Sequence, residues 1–364
     1  MDERRSIHFG GIMQKIGVLL VNLGTPLSPH PNDVYRFLIE FLTDERVIDI
    51  PWLQRQLLVR GMIVPSRYKQ SAKAYERIWT KEGSPLLVHG KKVQHALQQS
   101  LGGQFHVELA MRYQEPSLSK GIGTLMDIGL SHLIVLPLFP QYASATTGSV
   151  HQRVQEILCR YHVFPRVTLI DQYASHPALI DAFCSVAQRH PLQEYDHFLF
   201  SFHGLPEKHI RKADRGGNCL QEGCCKKISN ENFSCYSAQC HATANAIAAQ
   251  LQFAAEKYHI CFQSRLGKDP WLKPYTNATI HELAKQGKKK ILVFCPAFVC
   301  DCLETTFEIG IEYAQEFKQA GGERLDLVEG LNSDPSWIQA LRRITLDHAS
   351  GFAVRPPESC CSVR

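Results

Sequence analysis

Four stretches of the chain are nearly unbroken in apolar residues and rich in Ile, Val and Phe: residues 16–23 (IGVLLVNL), 133–138 (LIVLPL), 197–202 (HFLFSF) and 290–294 (KILVF). Each is short and bounded by Gly or Pro nearby, which predicts buried strands. Between them apolar positions recur at helical spacing over residues 72–79, 91–100, 119–128, 238–257, 278–286 and 336–349. Strands alternating with helices predict βαβ units, and so parallel open sheets flanked by helices.

The two halves of the chain also resemble each other. VELAMRYQEPSL leads through a helix and Gly129 to HLIVLPLFP, and ICFQSRLGKDPWL leads through a helix and Gly287 to KILVFCPAF. Arg112 and Arg265, Pro116 and Pro270, and Pro137 and Pro296 take matching places; IGVLLVNLGTP answers to HFLFSFHGLP. The expected organisation is α/β, with two similar Rossmann-like domains and a cleft between them. Residues 1–14 form an N-terminal extension, 15–172 the first domain and 173–320 the second. A segment at 321–349 packs back on the domains, and 350–364 form a tail.

Composition narrows the classes. The chain has 364 residues, is 44% hydrophobic and 21% charged, and carries a formal charge of +5, ordinary values for a globular protein with a sizeable core. No run of five like charges and no aromatic-basic motif is present, which argues against nucleic acid. The first residues hold charges without an apolar signal region, and the apolar run from residue 16 is too short to cross a bilayer, so a cytoplasmic protein is expected. Met13 is an alternative start. Thirteen cysteines in such a compartment point to metal or thiol chemistry rather than disulfides.

The candidate chemistry lies where two strands end. His203 follows an apolar strand, and Gly204 and Pro206 turn the chain there and expose the ring. After the strand at 290–294 come Asp301, Glu304, Glu308, Glu312 and Glu316, a spacing that on an α-helix stacks carboxylates along one face. Parallel sheets bind ligands at the carboxyl ends of their strands. Imidazole titrates near neutral pH and ligates divalent metals, and nitrogen with oxygen donors suits iron, zinc or manganese. Glu312 and Glu316 are expected to face water, leaving Asp301, Glu304 and Glu308 with the imidazole as a metal-handling or proton-handling site.

Residues 211–241 hold a second group, C-x4-C-C-x9-C-x4-C, formed by Cys219, Cys224, Cys225, Cys235 and Cys240. Four thiolates on a short polar loop hold a 2Fe-2S cluster or a tetrahedral zinc. Cys219, Cys235 and Cys240 are the firmer candidates, with Cys224 or Cys225 completing the set. Cys360 and Cys361 have no ligand spacing.

Taken together and in order, VNLGTP, AMRYQEP, PQYASATTGS, FHGLP, PWLKP and CLETTFEIGIEY resemble ferrochelatase over about residues 15–349. The resemblance implies a chelatase-like fold with the porphyrin between its domains. It implies insertion of ferrous iron into protoporphyrin IX with release of two protons, the last step of haem synthesis. His203 and Glu304 fall on the family's metal and proton site, with Asp301 and Glu308 on the path for protons or iron. Matching motifs place Leu20, Leu23, Arg112, Tyr113, Tyr142, Thr146, Thr147 and Ser149 along the cleft. Residues 48–72, which include Arg67, resemble the family's mobile lip, able to close over porphyrin and touch a membrane. A subset of bacterial members carries an internal cysteine group that binds 2Fe-2S, which favours that cluster over zinc. Some members place a histidine two residues before the glutamate; Cys302 stands there here, a bystander thiol close enough to the iron path to expect oxidation or mercury sensitivity. Coproporphyrin III is the neighbouring substrate. From another class, a two-domain metal-binding or haem-binding protein without turnover would share the outline.

Overall fold

The computed structural model describes residues 15–349 except Arg215, Asn218, Glu222 and Lys268. The N-terminal extension with Met13, and the tail with Cys360 and Cys361, lie outside the described residues. The first sheet contains β1 (Ile16–Gly24), β2 (Phe105–Tyr113), β3 (His132–Pro137) and β4 (Arg166–Leu169). The second contains β5 (His197–His203), β6 (Tyr258–Gln263), β7 (Lys290–Phe294) and β8 (Arg324–Leu327). All strands pair in parallel, in the order β2-β1-β3-β4 and, repeated, β6-β5-β7-β8. The fold is therefore two parallel four-stranded sheets flanked by helices.

The first half carries α1 (Pro31–Leu42), α2 (Trp52–Leu58), α3 (Val64–Ile78), α4 (Pro85–Leu101), α5 (Leu118–Asp127) and α6 (Ser149–Leu158). The second carries α7 (Pro177–Ala187), α8 (Glu207–Ala213), α9 (Tyr236–Gln250), α10 (Thr276–Lys285), α11 (Ala314–Gln319) and α12 (Pro335–Ala349). Among the described residues, three segments wind as π-helix: Val59–Ile63, Ser144–Gly148 and Leu303–Tyr313. No described helix is long and apolar enough to cross a membrane.

The four inner strands are those the apolar runs announce, because helices cover both faces and every position can be apolar. Leu19, Leu20, Val135, Leu136, Leu199, Phe200, Leu292 and Phe294 are fully buried. The largest cluster of buried side chains runs through both halves, joining Val18, Ile134, Phe200, Phe294 and Trp337. Helix α12 packs on α4 and α7, with the Trp337 ring stacked 6.4 Å from Tyr173. The second sheet continues past residue 320, since β8 is its outer strand.

Two expectations need correction. The helix expected over 238–257 stops at Gln250, because Gln252 adopts a left-handed φ of 59° and β6 begins at Tyr258. The counterpart of Pro116 is Pro274, not Pro270: Met111 N donates to Pro116 O, and Phe262 N donates to Pro274 O. By the same register Arg112 corresponds to Gln263 rather than to Arg265.

Candidate active site

The carboxyl end of β5 carries His203. Its Nδ1 lies 2.6 Å from the Gly204 carbonyl, an acceptor, so the hydrogen of that contact sits on Nδ1. Nε2 takes no hydrogen bond among the described residues. Trp271 and Phe298 flank the ring with centroids at 6.4 and 6.3 Å, and Tyr236 donates to the His203 carbonyl at 2.9 Å. Gly204 is required at the turn: a Cβ there would lie 2.8 Å from the Gln263 carbonyl, to which Gly204 N already donates.

Beside His203 in the sheet register stands Gln263 on β6. Its amide is buried and uses both ends. Oε1 accepts from Ser201 Oγ at 2.7 Å, and Nε2 donates to the Glu304 carbonyl at 2.8 Å and to Glu308 Oε2 at 3.2 Å. The Glu304 carboxylate is half-buried next to the Cys302 thiol and Tyr75. Glu308 is held by four donors: Gln263 Nε2, Ser264 N at 2.9 Å, Ser264 Oγ at 2.5 Å and Tyr313 OH at 2.9 Å.

The carboxylate row differs from a plain α-helical face. Asp301 precedes the helix and acts as a loop anchor, accepting from Gly330 N at 2.9 Å and Asn332 Nδ2 at 2.7 Å. Glu304, Glu308 and Glu312 ride the π-helix Leu303–Tyr313, whose wider turn keeps residues four apart on one side. Glu312 is exposed, and Glu316 pairs with His281. Partial burial, then repulsion by Glu308 and Glu316, raises the Glu312 carboxyl above its usual range.

Several residues expected to line the cleft are buried. Leu20, Thr147 and Ser149 are fully buried, and Tyr113 is 1% exposed. Asp44, which the sequence pattern did not single out, explains part of this. Its Oδ2 accepts from Arg112 at 2.6 Å, Ser149 Oγ at 2.6 Å and Tyr113 OH at 2.9 Å, a self-satisfied group. Burial first, then Asp44, pushes the Tyr113 phenol far above its ordinary value, so it stays a neutral donor. Leu23, Tyr142 and Thr146 remain partly exposed, and Arg67 is exposed. Leu23, Leu303 and Phe307 pack against the cluster that holds Phe37, Tyr75 and Tyr113, which joins the first half to the π-helix. On the expected lip, Trp52, Leu53, Leu57 and Met62 are each more than 60% exposed, while Arg55 is buried and donates to Thr43 O and Ile50 O.

The cysteines divide. Cys240 is fully buried in the main core. Cys219, Cys224 and Cys235 line a cavity of about 530 Å³, and Cys225 Sγ lies 3.5 Å from Cys224 Sγ. The Cys225 thiol donates to Cys235, and the backbone N–H groups of Ala238 and Ser237 add to that, holding the Cys235 thiol below its ordinary value against burial. Burial pushes Cys219 up to about 11. Among the described residues no three metal-ligating side chains are gathered on one point. Cys302 is buried, and burial followed by the Glu304 charge drives its thiol well up, which favours the protonated form, a poor nucleophile.

Comparison with known proteins fits this geometry. The ferrochelatase family model matches residues 15–349. A ferrochelatase of Coxiella burnetii is 43% identical over 333 residues, covering 91% of this chain and 93% of that protein. One from Legionella pneumophila is 42% identical over 328 residues, covering 90% and 98%. Among solved structures, SirB from Bacillus subtilis with Fe3+ aligns with a TM-score of 0.54 at 12% identity, covering 93% of this chain and 96% of that one, a likeness of fold. A model match across nearly the whole described chain and relatives above 40% identity leave one reading: this chain belongs to the ferrochelatase family, metal-insertion enzymes of haem biosynthesis.

Proposed function

We propose that the chain inserts ferrous iron into protoporphyrin IX to form protohaem, with His203 and Glu304 as the working pair. The observation that carries this reading is the histidine at the carboxyl end of β5, whose Nδ1 is committed to Gly204 and whose Nε2 is uncommitted. Two pyrrole N–H protons must leave as iron enters, and a neutral imidazole nitrogen at the macrocycle accepts a proton. Bending the macrocycle exposes its nitrogen lone pairs to a metal arriving from one face. Glu304, on the π-helix, is the carboxylate without a full set of donors, so it passes protons on toward Glu312 and solvent. Glu308 and Asp301, with their donors in place, hold the π-helix and its entry loop beside the path for protons or iron.

Leu23, Tyr142, Thr146 and Arg67 are the expected cleft contacts that retain exposed surface, and we assign them to the porphyrin. Leu20, Arg112, Tyr113, Thr147 and Ser149 support that wall from behind. Protoporphyrin carries two carboxylates and coproporphyrin III four, so the apolar lip of Trp52, Leu53, Leu57 and Met62 favours the former. The same side chains suit contact with a membrane surface. Iron-insertion rates measured with both porphyrins test the assignment; equal or faster coproporphyrin turnover overturns it.

We also propose that Cys219, Cys224, Cys225 and Cys235 hold a 2Fe-2S cluster. The soft sulfur donors, the cavity between them and the thiolate favoured at Cys235 support this set. A bound cluster supplies one-electron chemistry and ties the insert to the start of α9. Purified protein with acid-labile sulfide and visible absorption agrees; tightly bound zinc without sulfide favours the alternative.

A further inference from the structure

We propose that Gln263 is a positioning residue for metal insertion, acting on both members of the proposed pair; this rests on the assignment of His203 and Glu304 above. It sits opposite His203 in the β5–β6 register, and its carbonyl accepts from Gly204 N at 2.8 Å, the turn that also receives His203 Nδ1. Its side chain spans to the other member, with Nε2 on the Glu304 carbonyl and the Glu308 carboxylate. One buried residue therefore fixes the strand end that presents the imidazole and the first turn of the π-helix that presents the carboxylate.

The amide's direction is itself set. Ser201 Oγ donates to Oε1 at 2.7 Å, and Cys295 Sγ lies 3.8 Å from the same oxygen, so Nε2 points at the π-helix. An amide is suited to this place because it accepts on one side and donates on the other without charge. A glutamate of the same shape would set an acceptor against the Glu304 carbonyl and a second carboxylate against Glu308. A leucine would leave the Glu304 carbonyl and Ser201 without this partner. Misplacement of reacting groups by about 1 Å costs on the order of 100-fold in rate.

The test compares Gln263→Leu, Gln263→Glu and Ser201→Ala with wild type in ferrous iron insertion, recording kcat, porphyrin KM and thermal unfolding. We expect kcat to fall roughly 10- to 100-fold in both Gln263 variants and by a smaller factor in Ser201→Ala, with porphyrin KM held within about twofold. A purely structural role would instead lower the melting temperature and leave kcat per folded molecule intact. If the Gln263 variants fold and keep wild-type kcat, the proposal is overturned. Should they not fold, Ser201→Ala decides: folded with unchanged kcat, it refutes the proposal. His203→Ala runs alongside; an inactive His203→Ala with active Gln263 variants sinks only this inference, whereas an active His203→Ala sinks the pair it rests on.

Discussion

The carboxyl edges of the two sheets occupy the same place in a repeated topology and differ in what their polar groups do. At the end of β2, Arg112 and Tyr113 close on Asp44 and Ser149, leaving Asp44 Oδ2 with three donors. At the end of β6 the positions of Arg112 and Tyr113 are taken by Gln263 and Ser264, which hold a π-helix, and His203 stands where the first half has Leu23. Each half has a π segment after its third strand, but only that of the second, Leu303–Tyr313, brings a carboxylate row. One edge is internally satisfied, as the wall we assign to it requires. The other leaves an imidazole nitrogen and a carboxylate without such a set of donors, the pair to which we assign the reaction.

That contrast is open to attack by substitution. Glu304→Gln removes the carboxylate we assign to proton transfer while keeping shape; we expect kcat for iron insertion to fall on the order of 100-fold or more, with porphyrin binding by fluorescence quenching unchanged. Asp44→Ala should do the reverse. It strands the partly buried Arg112, whose ion pair with Asp44 measures 2.6 Å, and should cost about 3 kcal/mol or more in denaturant unfolding. Its kcat per folded molecule should change far less than that of Glu304→Gln. Comparable kcat losses in both would erase the distinction between wall and working edge.

The legibility of the two edges in sequence also differed. The inner strands β1, β3, β5 and β7 announce themselves because both faces are buried. The outer strands β2, β4, β6 and β8 do not: β2 interleaves His106, Glu108 and Arg112 with apolar residues, and β4 and β8 span four residues each. His203 was legible from its place at the end of an apolar run. Gln263, Ser264 and Asp44 were not, because their partners lie 41 to 105 residues away along the chain. The cysteine spacing was legible, but the burial of Cys240 was not, since its position on α9 faces the core only once the sheet is in place.

The lip offers a smaller test of substrate rather than chemistry. Trp52→Ala combined with Leu53→Ala removes two exposed apolar side chains; we expect porphyrin KM to rise roughly 10-fold at little change in kcat or melting temperature. A wild-type KM would remove the lip from porphyrin capture.

Acid should also act on the scaffold. Burial lowers the basicity of His89, His132, His151, His197 and His209, and His197, which also faces His259, Lys288 and Lys257, falls to about 4. The folded state prefers these rings neutral, so as pH drops below about 6.5 the unfolded chain binds protons first and stability is lost progressively toward pH 4. The melting temperature should fall between pH 7 and 5, and His197→Gln should lessen the fall by about 2 °C. An unchanged slope in that variant would refute the contribution of His197.

The most direct test of the working edge is anaerobic ferrous iron insertion by His203→Ala, with porphyrin binding and folding measured on the same sample. We expect normal folding and binding with insertion reduced at least about 100-fold; insertion at the wild-type rate would contradict the assignment of the chemistry to His203.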